Sequence, residues 1–329
     1  MIQYVLAGLV SGSIYAMIAS SLVVTYVASG VLNFAFGGQA FFVALFYYNL
    51  HVRHGWGIPE AAVVSLLSGA VMGIVLYVLL LRRLRNASTL VRVVTTIGLS
   101  VAIPQLALVI FGNSVILSVP GLAPSSTASV RVGGVAISYN ELIVYGSLIL
   151  VLVVGLWVFR WTRIGLIVRG TVDSPALTSL SGANPRWVEL GVWAATSFLA
   201  GLVGILGAPV VGLTPDQFTI MVASAFAAVV AARLKKIGTA VVVGLAMGIV
   251  ASLVVYKVPQ NTTLAAAAGP SIPFVFVLIF LAVNWLRHQK ANESIGVGGA
   301  LDQAIRTVDD PGRPSSTTAS DPGSGPIRN

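Results

Sequence analysis

The side chains that can do chemistry in this 329-residue sequence are few, and those inside its apolar stretches are uncharged. Carboxylates lie at the ends of these stretches or in polar segments, and all three histidines flank them. His51 and His54 are close enough in sequence to share a metal, but their position favours interfacial histidines. There is no cysteine, no catalytic cluster of carboxylates and histidines, and no Gly-x-x-x-x-Gly-Lys-Ser/Thr loop for ATP. The sequence therefore predicts no catalytic residue, no metal ligand and no cofactor in this chain.

Uncharged polar residues within the apolar stretches are the candidates for contact with a polar solute. Amide and hydroxyl groups can hydrogen-bond such a solute along a low-dielectric path. The candidate pathway residues are Asn33, Gln39, Thr95, Thr96 and Gln105. The competing interpretation of each, which the sequence favours, is a hydrogen bond between two helices. The lack of an ionisable group within these stretches argues against a transporter coupled to protons or sodium.

The apolar stretches that carry these residues define the fold. Hydrophobic residues make up 57% of the chain and charged ones only 9%, against about 25% in an average soluble domain. Stretches of about 20 residues are long enough to cross a bilayer core as a helix. We predict an all-α polytopic membrane protein with about nine transmembrane helices, over 4–27, 36–50, 58–81, 92–111, 140–159, 188–212, 217–232, 237–257 and 272–287. The short second span follows a break at 29–33 and can be tilted or discontinuous.

Basic residues cluster on one side of this predicted topology. When alternate loops are assigned to the cytoplasm, 16 of the 19 Lys and Arg residues fall there, as the positive-inside rule requires. This places the N-terminus outside and the C-terminus in the cytoplasm. The net charge of +9 is then explained by loops that face lipid headgroups and cytosol, and it gives no reason to expect nucleic-acid binding.

Small residues indicate how the helices pack. Gly8 and Gly12, Gly69 and Gly73, and Gly244 and Gly248 each share one helix face, which predicts close helix contacts in a compact Gly/Ala-rich bundle. We assign 1–290 to this transmembrane domain and 291–329 to a disordered cytoplasmic tail. The external loop 112–139 contains an alternating segment, 130–138, that predicts a hairpin around two glycines.

The cytoplasmic loop 160–187 contains a short predicted helix. Asp173 or Ser174 can cap it, Pro175 suits its first position and Gly182 can end it. Leu177 and Leu180 share its apolar face. Such a helix can dock into a groove of another protein or lie flat on the bilayer, and the spacing leaves both open.

Four segments, in order, resemble the LivH-type inner-membrane permeases of ABC importers for branched-chain amino acids. The likeness covers about residues 1–290, and the segments are Gly8-Leu-Val-Ser-Gly-Ser-Ile-Tyr-Ala16, Gly30-Val-Leu-Asn-Phe-Ala35, Thr162-Arg-Ile-Gly165 through Ser181-Gly-Ala-Asn184, and Ala200-Gly-Leu-Val-Gly-Ile-Leu206. Two positions depart from the family: Phe36-Gly37-Gly38 replaces a usual His-Gly-Glu, and Ala231-Ala232-Arg233 replaces a Gly-Gly pair.

The resemblance implies a permease subunit in the plasma (inner) membrane of a bacterium. Its expected partners are two ATP-binding-cassette ATPases that carry ATP and Mg²⁺, a second related permease and an extracytoplasmic substrate-binding protein. The resemblance also makes 173–182 the helix that couples to the ATPase. Branched-chain or related amino acids are the expected substrate. The alternatives are a urea or short-amide importer of the same superfamily and a stand-alone channel or facilitator.

Overall fold

A computed structural model gives the fold, and two units are distinguished in it, Met1–Phe280 and Leu281–Asn329. The helical bundle belongs to the first unit. The structure describes residues 1–84, 87–112, 116, 119–124, 129–132, 135–162, 165, 167–168, 185–234, 236–258, 271–283 and 285–286. The predicted tail, 291–329, lies outside these residues.

Each of the nine predicted spans coincides with a helix of the described residues. The helices are α1 (Ile2–Ser29), α2 (Phe36–Tyr48), α3 (Ile58–Leu76), α4 (Thr89–Phe111), α5 (Tyr139–Trp161), α6 (Pro185–Val211), α7 (Pro215–Ala231), α8 (Ile237–Lys257) and α9 (Ser271–Val283). Single π-helical turns, Asn49–Arg53 and Tyr77–Leu81, extend α2 and α3. Among the described helices, α1, α3, α4, α5, α6 and α8 are long and apolar enough to cross a membrane. The chain is thus a helical, multi-pass membrane protein, while crossings by α2, α7 and α9, and the orientation, stay predictions.

Local sequence signals set several helix ends. Ser138 begins α5 with a capping box, in which its backbone N–H donates to Glu141 Oε2 (3.0 Å) and its hydroxyl accepts from the Asn140 N–H. The Ser88 hydroxyl caps α4 by accepting from the Val91 N–H. Gly30 ends α1 at φ +67°, a left-handed conformation that glycine adopts without steric cost. These residues fix where the chain leaves one helix and enters the next.

The predicted hairpin before α5 is present. Strands β1 (Ser129–Val132) and β2 (Val135–Ser138) pair antiparallel, with Val132 opposite Val135 and Ser129 opposite Ser138. This pairing confirms the predicted hairpin.

Glycines bring α1 and α8 into close contact. A Cβ built on Gly248 would lie 2.2 Å from the Gly12 backbone nitrogen, and one on Gly12 would lie 2.8 Å from the Leu245 carbonyl oxygen. Since no side chain fits in these gaps, the two backbones approach as the small-residue faces predict. The Gly69 and Gly73 face packs on α6 in the same way, at Ser197 and Trp193.

Helix α2 lies at the centre of the bundle. It packs against α3, α4, α6 and α7, and most of its 13 residues are buried. Close approach is achieved by small residues, because a Cβ on Gly38 would lie 3.0 Å from Pro104 Cδ of α4 and one on Gly37 would lie 3.0 Å from the Phe218 carbonyl oxygen of α7. The Phe36-Gly37-Gly38 departure therefore sits at a three-helix contact, with Phe36 itself fully buried.

The second departure lies in the turn between α7 and α8. Arg233 and Leu234 adopt φ values of +49° and +58°, in the left-handed region that costs a residue with a Cβ about 1–2 kcal/mol. The resemblance places glycines immediately before this turn. In this chain the turn contains no glycine at these positions, and Arg233 and Leu234 adopt the left-handed conformation instead.

Candidate functional site

The non-helical segment between α1 and α2 creates the site. Residues 30–35 leave the helical path, so their backbone groups need partners from other elements. The Thr96 hydroxyl of α4 donates to the Leu32 carbonyl oxygen (3.1 Å) and to the Val93 carbonyl oxygen of its own helix (2.9 Å). The break is thereby held against α4.

Asn33 and Gln39 come together with a third polar side chain directly after this break. The Asn33 Nδ2 group donates to Gln39 Oε1 (3.2 Å), and the Ser197 hydroxyl of α6 donates to the same oxygen (3.2 Å). All three residues are 0% exposed. We call Asn33, Gln39 and Ser197 the amide cluster.

The amide cluster keeps spare hydrogen-bonding capacity. Asn33 Oδ1, an acceptor, and Gln39 Nε2, a donor, have no hydrogen-bond partner among the described residues. Buried polar atoms without a partner are costly, and in native proteins each calls for an explanation such as a ligand or a functional role. The cluster can therefore offer one donor and one acceptor to a polar molecule that reaches it.

The remaining predicted pathway residues lie apart from the cluster. Thr95 is half-buried and its hydroxyl donates to the Val91 carbonyl oxygen of α4 (2.8 Å). Gln105 is exposed. Nine residues separate Thr96 from Gln105, which places Gln105 on the opposite face of α4. The structure brings together Asn33, Gln39 and Thr96 around the break, but not Thr95 or Gln105.

Ser197 was missed in the sequence. It follows Thr196 in the middle of an apolar span. Its bond to Gln39 joins α6 to α2, and these helices approach closely at Gly204, where a Cβ would lie 2.1 Å from the Ala40 carbonyl oxygen. A Cβ on Gly73 would lie 2.5 Å from the Ser197 hydroxyl oxygen. Its position as a polar residue in the middle of an apolar span was the sequence signal that could have identified it.

Other predicted features lie elsewhere or outside the described residues. The coupling residues Asp173, Ser174, Pro175, Leu177, Leu180 and Gly182 lie outside them. His51 Nδ1 lies 2.7 Å from the Trp56 carbonyl oxygen and His54 Nδ1 lies 2.9 Å from the Asn49 carbonyl oxygen, so both rings contact local backbone. Within the described ranges, no group of three or more His, Cys, Asp or Glu could hold a metal ion.

Comparison with known proteins gives the family. A sequence model of a family described as "Branched-chain amino acid transport system / permease component" matches residues 4–284. The chain is 24% identical over 255 residues to the probable branched-chain amino acid transport permease protein LivH of Methanocaldococcus jannaschii, covering 75% of this chain and 79% of that protein. It is 25% identical over 260 residues to the high-affinity branched-chain amino acid transport system permease protein BraD of Pseudomonas aeruginosa, covering 75% and 84%.

A solved structure, PsaBC from Streptococcus pneumoniae in complex with Fab, is similar at a TM-score of 0.48 and 17% identity, covering 83% of this chain and 89% of that chain. At this score the likeness adds nothing to the assignment. The family match covers nearly the whole helical bundle, and the helices described above are those of a multi-pass membrane protein. The chain therefore belongs to the family of permease components of branched-chain amino acid transport systems.

Proposed function

We propose that this chain is the permease subunit of an ABC importer that moves branched-chain or related amino acids across the plasma membrane. The family match over residues 4–284 carries the proposal. Both named relatives are branched-chain amino acid permeases, and each is matched over about three quarters of this chain. The chain itself supplies the path through the membrane and no catalytic group.

The amide cluster is the part of this path that we propose contacts the solute. An amino acid carries both a carboxylate and an ammonium group, so a path through an apolar bundle needs acceptors and donors. Asn33 Oδ1 and Gln39 Nε2 provide one of each without breaking an existing hydrogen bond. Because both residues are fully buried, the helices around them must move before a solute can reach them. Thr96 belongs to the same region, through its bond to the break.

Thr95 and Gln105 are less well supported as solute contacts than Asn33 and Gln39. Thr95 already donates to its own helix, and Gln105 faces away from the break. They can meet a solute only if part of the path runs along the outside of α4.

A urea or short-amide importer is the second candidate. The amide cluster contains no charged side chain, and its free groups are one acceptor and one donor. A neutral amide satisfies such a pair directly, whereas a zwitterion would have to give up the hydration of two charges. Competition between a labelled branched-chain amino acid and urea or acetamide distinguishes the two substrates.

Energy for transport is proposed to come from two partner ATPases, which hold ATP and Mg²⁺. The segment 173–182 is the proposed docking helix, with Leu177 and Leu180 on its apolar face. A second related permease and an extracytoplasmic binding protein complete the proposed complex. The charge distribution supports a cytoplasmic position for this segment and an external N-terminus. The inner membrane of a bacterium is the proposed location.

Reconstitution in liposomes tests the proposal. The chain is incorporated alone and together with the ATPases, the second permease and the binding protein, and uptake of labelled leucine is followed with and without internal ATP. We expect uptake only from the complete complex with ATP. Uptake through the chain alone, without ATP, would show a facilitator and refute the proposal.

A further inference from the structure

Polar groups follow one face of α6 from the amide cluster toward the start of the helix. Ser197, Trp193 and Glu189 are spaced four residues apart, so they lie along one stripe of about 12 Å. Contacts with α3 agree with this spacing. A Cβ on Gly73 would lie 2.5 Å from the Ser197 hydroxyl oxygen and 2.5 Å from the Trp193 carbonyl oxygen, and one turn further along α3, Tyr77 bonds Glu189. The amide cluster is thus continued by two further polar side chains of α6.

The first of these, Trp193, carries a buried donor without a partner. Its side chain is 0% exposed, and its Nε1 atom has no hydrogen-bond partner among the described residues. A buried indole N–H usually donates to an acceptor, and leaving it unpaired costs free energy. The carboxylate of a solute is an acceptor that can satisfy it.

The second, Glu189, places a negative charge beside this donor. Its Oε2 atom accepts from the Tyr77 hydroxyl (2.9 Å), and Tyr77 packs with Trp193 in one apolar cluster. The Glu189 side chain is half-buried and forms no ion pair with the residues that the structure describes. A carboxylate has about four acceptor positions, so it can receive a cation and keep its bond from Tyr77. A cation also compensates the charge that burial leaves without a counter-ion.

We infer that Tyr77, Glu189 and Trp193 form a second solute site, which we call the exit site, and that it binds the ammonium group of the transported amino acid. The ammonium group donates to Glu189, beside two aromatic side chains that also favour a cation. The solute carboxylate accepts from Trp193 Nε1. The charge distribution predicts that the start of α6 faces the cytoplasm, so a solute would reach this site after the amide cluster.

The exit site deepens the proposed function and rests on it, because it assumes that this chain transports a solute. It also names the substrate class. An amino acid carries a cation for Glu189, whereas urea and short amides carry none and gain little from a carboxylate. The exit site therefore favours amino acids over neutral amides, which the amide cluster alone does not do.

The alternative is that Glu189 and Tyr77 only bond α6 to α3, and two substitutions give opposite results for the two roles. Glu189→Gln removes the charge but keeps an oxygen that can accept from the Tyr77 hydroxyl. Tyr77→Phe removes the bond between the helices but keeps the charge. Glu60→Gln is the matched control, because it removes an exposed carboxylate from the first turn of α3, at the opposite end from Tyr77.

Photolabelling tests the exit site directly. The full-length variants are reconstituted in liposomes with the ATPases, the second permease and the binding protein. A leucine analogue with a diazirine side chain is supplied, and the liposomes are illuminated during ATP hydrolysis. Mass spectrometry then locates the label, and uptake of labelled leucine is measured in the same preparations.

We expect label on the peptides that contain Tyr77 and Trp193, equally in the unmodified chain and in Glu60→Gln. Glu189→Gln should lower this labelling and leucine uptake about tenfold or more, because hydrogen bonds to a charged group are among the strongest. Tyr77→Phe should lower both less, since the carboxylate remains.

Three results would overturn the inference alone, in a complex whose unmodified form takes up leucine. They are no label on these peptides, unchanged labelling in Glu189→Gln, and a larger loss in Tyr77→Phe than in Glu189→Gln, which would show a bond between helices. The absence of leucine uptake by the unmodified complex would overturn the proposed function as well.

Discussion

Replacing Gln39 by leucine distinguishes the two possible roles of the amide cluster, which are to contact the transported solute or only to bond one helix to another. The substitution removes Oε1, the acceptor shared by the Asn33 amide and the Ser197 hydroxyl, and so leaves two buried donors without a bond. Interhelical hydrogen bonds in membranes contribute about 0.6 kcal/mol each on average and about 1.7 at most. The loss of the unpartnered Nε2 group offsets part of this cost. We expect a net destabilisation of about 1 kcal/mol, which lowers Tm by about 2–4 °C for a chain of this size.

Ser197→Ala is the matched control. It removes one donor, while Gln39 Oε1 keeps its bond from Asn33, so the expected loss is about 0.6 kcal/mol. The two variants therefore differ little in stability, but only Gln39 offers a free group to a solute.

Two measurements complete the test. Thermal unfolding of the purified chain gives the stability, and uptake by the reconstituted complex gives KM for the transported solute. If Gln39 contacts the solute, Gln39→Leu raises KM about tenfold or more, as losing a hydrogen bond of 1.4 kcal/mol would do, while Ser197→Ala leaves KM near its original value. An equal KM in both variants would refute the pathway role and leave the cluster as a bond between helices. An unchanged Tm in both would refute the structural reasoning.

Three further changes probe other features. Gly248→Ala should lower the free energy of unfolding by about 1–3 kcal/mol, because the added Cβ would overlap the facing backbone of α1. The control is Gly238→Ala on the same helix, which has open space and should be neutral or slightly stabilising. Equal losses of stability in the two variants would contradict the packing. Arg233→Gly should raise the stability by about 0.5–1 kcal/mol by relieving the left-handed φ of an exposed residue, and a loss of stability would show that the side chain matters more than the backbone. Leu177→Asp combined with Leu180→Asp should abolish co-purification of the ATPase without altering membrane insertion, and an ATPase that still binds would refute the coupling helix.

Hydrophobic length and small-residue spacing were enough to predict the helices and the faces on which they pack. Each predicted span matches a described helix, because about 20 apolar residues have few other stable conformations in lipid. The paired glycines also mark real contacts: those of α1 meet those of α8. Spacing identifies a face, however, and does not say which helix lies against it.

Because spacing does not identify the partner helix, only part of the amide cluster could be predicted. Asn33 and Gln39 are six residues apart in sequence, and their contact follows from the break between α1 and α2. Ser197 is 158 residues from Gln39, and its contact depends on the close packing of α6 against α2. The sequence also did not predict that Gln105 is exposed, since a polar residue within a span can face either the inside or the outside of the bundle.

The central position of α2 has a consequence for how this protein is made. Even with its 5-residue π-helical turn, the 13-residue α2 reaches only about 27 Å, which is at the short end for crossing the hydrocarbon core, and its polar residues make it a poor candidate for release into lipid. The helices that enclose it, α3, α4, α6 and α7, are all synthesised later, the last of them ending at Ala231. We therefore expect α2 to stay without its final partners until Ala231 has been translated, more than half of the chain later. A ribosome that stops before Ala231 leaves behind a fragment with an open centre, and the surface exposed there makes such a fragment prone to aggregate.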